Sequence, residues 1–373
     1  MPDTLTKLAY QAFQEGKSYF GLAHKAVSTQ LTNLFVAPSQ REVKSLPLEL
    51  LLQLRQQLQQ LIETDWYDAE RGVYPAPLLF DNDWNDFFRH YPQIWFDLPS
   101  IWGRVNQKRH QDFSPQLETS GYPSYYLQNF HHQTDGYLSD TSANLYDLQV
   151  DILFNGAADA MRRRILAPLK QGLATFDVLE PRQIRVLDVA CGTGRTLKQL
   201  RGMLPKASLY GVDLSEAYLR KANQSLSQLP NELPQLVQAN AEALPFVDNY
   251  FHGVTSVFLF HELPPAARQQ VIEQCFRVLK PGGTFVICDS IQVADAPDMV
   301  PAMEDFVETF HEPYYRHYTQ DNLVQRLEQA GFSDVSVQVH FMSKYLVAQK
   351  PLTPTPNAAL STDAEKQLSY DRQ

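Results

Sequence analysis

An α/β fold, a mostly parallel seven-stranded sheet with helices on both faces and an antiparallel hairpin at one edge, is predicted by three features of the sequence. From Gln183 onward, short apolar runs of strand length alternate with amphipathic runs of helical length. The first of these strands runs straight into a glycine turn and a helix, Ile184 to Thr196 (IRVLDVACGTGRT). The last two strands are joined only by the short link His340–Ser343, which permits an antiparallel pair and no crossover. Alternating strands and helices of this kind build a parallel sheet covered on both faces.

The expected strands are Arg185–Val189, Ser208–Asp213, Gln235–Ala239, Gly253–Phe258, Thr284–Asp289, Val335–His340 and Lys344–Ala348. Helices are expected at Gly194–Arg201, Ser215–Ser225, Ala266–Leu279 and Gln320–Gln329, with an extra segment at Met303–Phe310. Arg277-Val278-Leu279-Lys280-Pro281-Gly282-Gly283 reads as a helix end turning into the fifth strand.

Upstream the organisation differs. Residues 1–124 read as a helical and aromatic-rich extension, with helices over Thr4–Phe35 and Leu48–Ile62 and a break at Pro38–Ser39. Leucines 48, 51, 54, 58 and 61 form a stripe expected to be core. Tyr67–Pro123 is dense in aromatics, and its prolines 75, 77, 92 and 99 are expected to prevent long helices. Such a stretch reads either as an irregular aromatic layer or as the wall of an apolar substrate pocket. Residues 125–182 read as a helical lead-in and lid, 183–350 as the main domain, and 351–373 as a disordered tail. The part before Gln183 is expected to cap the carboxyl ends of the strands.

Composition narrows the function. A formal charge of −10 with no basic stripe argues against a nucleic-acid partner. Arg162-Arg163-Arg164 is short enough to read as a solvated helix face. Cys191, Cys275 and Cys288 have no ligand spacing and fit reduced thiols, so neither disulfide nor zinc is expected. The adjacent His131 and His132 cannot both face one ion from a regular helix, and no metal is expected there. No run has the length of a membrane span and the start lacks a signal-peptide pattern, so a cytoplasmic location is expected.

The glycine turn carries the chemistry. A dinucleotide fingerprint requires a third glycine, but Arg195, Thr196 and Leu197 follow Gly194. A phosphate loop requires Gly-Lys-Ser/Thr, which is absent. An ordinary glycine turn of an α/β protein is the remaining plain reading. The pattern Asp188-x-Ala190-x-Gly192-x-Gly194 resembles motif I of the class I S-adenosylmethionine-dependent methyltransferases. Asp213 ending the second strand, Asn240-Ala241 before Leu244-Pro245-Phe246, His261 after the fourth strand and the Lys-Pro-Gly-Gly turn follow in that family's order. The likeness is to the type-11, ubiquinone/menaquinone-biosynthesis-methyltransferase-like group, and it covers roughly Tyr125 to Lys350. It implies a Rossmann-like fold and S-adenosyl-L-methionine as cofactor.

The resemblance also implies roles. Asp188 holds the methionine amino group, with Ala190, Gly192 and Gly194 lining its path. Asp213 clamps the ribose hydroxyls, for which the alternative is an N-cap of the following helix. Leu214 packs on the adenine, while Asn240 and Ala241 read it; Asn240 stands where an Asp is usual and lacks its charge. His261 is the candidate general base, and otherwise only a partner of a loop carbonyl. His131, His132, Tyr146, His311 and Tyr314 are the polar residues expected near the acceptor. Together these predict an enzyme transferring a methyl group to a small apolar or aromatic, quinone-like or lipid-like molecule, with peripheral membrane contact if the acceptor is a lipid. The competing readings are a methyltransferase acting on protein and a silent cofactor-binding module in an assembly.

Overall fold

The computed structural model describes residues 3–35 and 47–352. The break expected at Pro38–Ser39 and the tail from 353 onward lie outside them. Seven strands, β1 (Arg185–Val189), β2 (Ser208–Asp213), β3 (Gln235–Gln238), β4 (Phe251–Val257), β5 (Leu279–Ser290), β6 (Ser333–His340) and β7 (Ser343–Gln349), form one sheet in the order β3-β2-β1-β4-β5-β7-β6. β1 to β5 pair in parallel, and β7 runs antiparallel to both β5 and β6. Strand order reverses between β1 and β4, and the cleft at the carboxyl ends of strands flanking such a point is where open α/β sheets bind ligands.

Helices alternate with these strands: α7 (Arg195–Met203), α8 (Glu216–Leu226), α9 (Pro265–Val278), α10 (Val300–Thr309), α11 (Tyr315–Thr319) and α12 (Leu323–Gln329). Ahead of the sheet run α1 (Thr4–Phe35), α2 (Leu48–Glu70), α3 (Trp84–Gln107), α4 (Asp140–Leu153), α5 (Ala158–Arg163) and α6 (Leu166–Leu173). The period-2 alternation of the strands divides the core. Val186, Leu209 and Val286 pack with α6 and α7 on one face, and Leu187, Tyr210, Val254 and Phe285 with α9 and α12 on the other.

The extension is not a separate body. Tyr10 of α1 and Trp66 and Tyr74 at and after α2 belong to the same buried cluster as Val186 and Leu197, so they add a third layer outside α6 and α7. The cap expected over the strand ends is made by the 125–154 stretch and the start of α2, whereas α1 and the end of α2 lie beside the sheet. In the leucine stripe Leu61 is buried and Leu54 and Leu58 are half-buried, whereas Leu48 and Leu51 are exposed.

Two expectations fail here for physical reasons. α3 runs through Pro92 and Pro99. Each proline removes a backbone hydrogen bond at a cost of about 3 kcal/mol, but Phe87, Tyr91 and Trp95 recur at helical spacing and pack on Phe20 and His24 of α1. That tertiary burial holds the helix. Likewise Arg162, Arg163 and Arg164 are buried rather than solvated. Arg163 pairs with Asp65 at 2.6 Å and Arg164 with Asp68, both on α2, and Arg162 lies 3.6 Å from Asp159. Tyr10 and Tyr74 also donate to Asp65. Arg163 and Arg164 are the joint between the extension and the sheet domain.

The Lys-Pro-Gly-Gly segment is an outward bulge within β5. Leu279 pairs with Phe251 and Thr284 with Gly253, leaving Lys280–Gly283 extruded. All three cysteines are buried free thiols. No helix among the described residues is long and apolar enough to cross a membrane.

Candidate active site

At the carboxyl ends of β1, β2 and β4 lies a narrow cavity lined by Ala190, Cys191, Gly192, Asp213, Leu214, Asn240, Ala241 and Phe258. Two of these, Ala190 (φ 57°) and Phe258 (φ 59°), hold positive φ without being glycine. Such strain persists only where surrounding structure fixes it. Gly192 has φ +52°, and a Cβ there would meet only Tyr218 Cδ1, at 3.8 Å, so its open side faces the cavity. Gly194 differs: its Cβ would press on Ala222 Cβ at 3.1 Å and Leu226 Cδ1 at 3.0 Å. Gly194 therefore serves the packing of α8 and does not line this cavity, in contrast to the expectation for it.

Asp188 is buried and Asp213 half-buried against the turn. Asp188 Oδ1 accepts from Thr255 Oγ1 at 2.7 Å, while its Oδ2 has no partner. Burial pushes its carboxyl up to about 7, against the Thr255 hydrogen bond. Asp213 Oδ2 accepts from Gly192 N and Oδ1 from Ser215 N, both at 2.8 Å, and burial raises it to about 6. Asp213 is not the N-cap of α8, since the Ser215 side chain accepts from Tyr218 N. Asn240 Oδ1 accepts from Glu242 N at 2.9 Å, capping the short turn Ala241–Ala243. Tyr126, Tyr137, Tyr146 and Tyr218 cover the cavity from the 125–146 stretch and α8.

A second cavity of about 250 Å³ adjoins it beyond Tyr146 and Phe258. Its walls are apolar, from Leu54, Val150, Met303, Phe306 and Met342, with His131, His261 and Glu262 as polar points. His261 Nδ1 lies 2.6 Å from Asp289 Oδ1, and Asp289 also accepts from Phe260 N and Ser290 N. Burial alone would depress the His261 pKa; the Asp289 carboxylate outweighs it and raises the value to about 9. The ring is thus not near the ordinary histidine range expected of it, and its bonding partner is a carboxylate rather than a loop carbonyl.

The acceptor candidates separate. His131 and Tyr146 line this second cavity. His132 faces away, beside His110 and His311, and His311 stacks on His110 at 3.9 Å while its Nε2 meets Gln128 Oε1 at 2.6 Å. Tyr314 bonds to Gln128 and lies edge-on to Tyr125. The two neighbouring histidines diverge because both take left-handed backbone, φ 53° and 56°, and no regular helix is present there. Sequence reasoning missed Asp289, Glu262 and Glu312. Asp289 had a signal, as an acid ending a strand like Asp188 and Asp213. Glu312 had none, since only the fold brings it beside His131.

A larger cavity, about 660 Å³, lies on the other side of the glycine turn between α1, α3 and α4. The aromatics Trp84, Phe87 and Phe88 of the 67–102 stretch line it, so they do not wall the second cavity.

Residues 186–283 match the family described as a methyltransferase domain. Demethylmenaquinone methyltransferase of Lactiplantibacillus plantarum is 30% identical over 227 residues, which cover 56% of this chain and 90% of that one. The ubiquinone/menaquinone biosynthesis C-methyltransferase UbiE of Photorhabdus laumondii is 32% identical, covering 41% of this chain and 67% of that one. A demethylmenaquinone methyltransferase of Symbiobacterium thermophilum is 37% identical over 107 residues, 28% of this chain and 42% of that one. The chain thus spans from under half to nine-tenths of the length of these relatives. Among solved structures, a methyltransferase of Aquifex aeolicus aligns with a TM-score of 0.36 at 22% identity, over 48% of this chain and 90% of that one.

Sheet order, glycine turn and these relatives together make the chain a class I S-adenosylmethionine-dependent methyltransferase with a Rossmann-like fold. Within that class it belongs to the ubiquinone/menaquinone-biosynthesis-methyltransferase-like group. Its cofactor is S-adenosylmethionine, and the residues fit it. The partnerless Oδ2 of Asp188 suits an ammonium group, and the open face of Gly192 admits a chain past the turn. The cavity itself is about 110 Å³ and adjoins the second cavity at Tyr146 and Phe258.

Proposed function

We propose that the protein methylates a small aromatic acceptor of the quinol type, seated in the apolar cavity beside His261. The supporting observation is the junction of two cavities. One is bounded by small residues and carboxylates, the other is apolar with one histidine held by a carboxylate, and Tyr146 and Phe258 belong to both. Relatives named for methylation of demethylmenaquinone and ubiquinone precursors favour the same class of acceptor.

When bound, the cofactor supplies an electrophilic methyl group on a sulfonium. The chain's part is alignment and exclusion of water. In this reading Asp188 holds the amino group, and Ala190 and Gly192 give room along the turn. Asp213 takes the ribose hydroxyls in place of one of its backbone donors, Leu214 packs on the adenine, and Asn240 and Ala241 meet its edge. Asp289 fixes His261 through Nδ1 and keeps the ring protonated near neutral pH, so Nε2 donates to the acceptor oxygen and favours its ionised, nucleophilic form, the acceptor's own proton being left to solvent. The methionine- and phenylalanine-rich wall, Met303, Phe306 and Met342, adapts to an apolar ring or tail. The extension and the 125–182 stretch act as cover for this cavity rather than as an independent module, with Leu50 and Leu54 of α2 reaching its apolar side.

Incubation with methyl-labelled cofactor and a reduced demethylmenaquinone analogue tests this. Label in the quinol is expected. Label only in protein, or none with any quinol or phenol, would contradict the acceptor class.

A further inference from the structure

We propose that His131, Glu262 and Glu312 form a binding site for a divalent first-row transition cation, of the zinc or manganese kind, in the wall of the acceptor cavity. Three elements far apart in sequence supply the ligands. His131 comes from the turn Phe130–His132, Glu262 from the turn after β4, and Glu312 from the link between α10 and α11. His131 Nε2 lies 2.9 Å from one Glu312 oxygen and 3.7 Å from Glu262 Oε1, and one ligand atom from each residue falls within 4.8 Å of the others. Ligands about 2.1 Å from a shared ion stand roughly 3.0–3.4 Å apart, so small side-chain rotations would close the set.

The independent observation is Glu312. Its side chain is fully buried; Oε1 is paired with His131 Nε2 at 2.9 Å, and Oε2 has no hydrogen-bond partner. Two carboxylates sharing one imidazole leave acceptor capacity unused in a dry setting, where an unmet charge is costly. A cation would satisfy it. The surroundings already have the second layer that metal ligands use. Tyr137 donates to Glu262, and the backbone N–H of His131 donates to the His311 carbonyl, tying two ligand loops together. One imidazole and two carboxylates form a mixed nitrogen and oxygen set, which suits zinc or manganese better than the all-oxygen preference of calcium or magnesium.

Because His131 and Glu262 both line the cavity, open positions on the ion would face whatever occupies it. There the ion would hold an acceptor oxygen opposite His261. That role rests on the function proposed above, whereas cation binding itself does not.

The full-length, metal-stripped protein is titrated with Mn²⁺, Zn²⁺ and Co²⁺, without cofactor or acceptor. One equivalent should bind, and His131→Ala and Glu312→Gln should each weaken binding by more than the roughly 10–100-fold that even outer-layer changes cause. Electron spin-echo spectra of the wild-type Mn²⁺ form should show coupling to one histidine nitrogen, a readout that stands if either variant fails to fold. Absence of saturable binding, absence of nitrogen coupling, or unchanged affinity in both folded variants would overturn the site and leave a buried ion-pair cluster. Cation binding with no transfer to quinols would support the site and remove the acceptor class; transfer to quinols without cation binding would do the reverse.

Discussion

The two cavities at the strand ends are built by different means. The cofactor side is assembled from residues within a few positions of β1, β2, β3 and β4, and its partners are backbone groups such as Gly192 N and Ser215 N. The acceptor side draws on α2, α4, the turn at His131, β5 and α10, and its contacts span most of the chain. Local construction gives a site that depends on glycine and carboxylate positions. Long-range construction gives one that depends on how the extension is seated. The comparison teaches that the acceptor side can be disturbed by changes far from it, while the cofactor side should respond chiefly to its own turn and to the tyrosines that cover it.

The largest expected effect sharpens that contrast. Asp65→Ala leaves Arg163 buried without its carboxylate and deprives Tyr10 and Tyr74 of their acceptor. Breaking a buried pair in this way costs about 3–5 kcal/mol. Urea denaturation should record that loss, and α2 with Leu50 and Leu54 should loosen around the acceptor cavity. Equal stability in the variant would mean that the joint is incidental.

Next in size is chemistry. His261→Ala should lower turnover by about 10²–10³, as loss of one positioned hydrogen-bonding group at a reacting oxygen does. Asp289→Asn should follow in the same direction, because it frees the ring to turn. Cofactor affinity should stay near wild type in both. A fall in cofactor affinity that matched the fall in rate would merge the two cavities into one functional unit.

The glycines give a smaller, cleaner split. At Gly194→Ala the new methyl meets Ala222 and Leu226, and φ of +81° is unfavourable, together costing on the order of 1–2 kcal/mol of stability. At Gly192→Ala the φ of +52° is likewise unfavourable, but no atom lies nearer than 3.8 Å, so there is no added packing clash and the methyl intrudes on the cofactor path. Thermal unfolding should rank Gly194→Ala lower, and cofactor titration should rank Gly192→Ala lower. The opposite order would exchange their roles.

The smallest effect is pH dependence. Asp188 and Asp213 are raised to about 7 and about 6 by burial, above the unfolded value of about 3.9. The native state therefore holds more protons in this window. Their contribution to cofactor-free stability is full below about pH 4 and is lost as pH rises through 6 to 7. A cationic cofactor favours the ionised carboxylates, so its affinity should rise over the same range with release of protons. Calorimetry in two buffers of different ionisation heat would detect that release; a flat affinity from pH 5 to 8 would contradict it.

The sheet and the cofactor side were largely legible in sequence because their signals are local. The seven strands appear within a few residues of their expected bounds, since Val186/Leu187 and Leu209/Tyr210 alternate as buried strands must. The turn at Ala190–Gly194 was legible as a unit, but not the division of labour between Gly192 and Gly194, which depends on where α8 packs. α3 was misread because propensity counts its prolines and does not count the face it offers to Phe20 and His24. The arginine triplet was misread because Asp65 and Asp68 lie nearly a hundred positions earlier. Glu312 was illegible for the same reason, its significance arising only from the approach of His131.

The central claim is that the small-residue cavity at the ends of β1, β2 and β3 receives the methyl donor. Calorimetric titration of the full-length protein with S-adenosylmethionine and S-adenosylhomocysteine tests it most directly, with Asp213→Ala alongside. Binding of one equivalent is predicted. The variant should lose about 1.5–3 kcal/mol, or roughly 10- to 100-fold, for hydrogen bonds to a charged group. Wild-type protein that binds neither compound, or a folded Asp213→Ala variant that binds both as tightly, would contradict it.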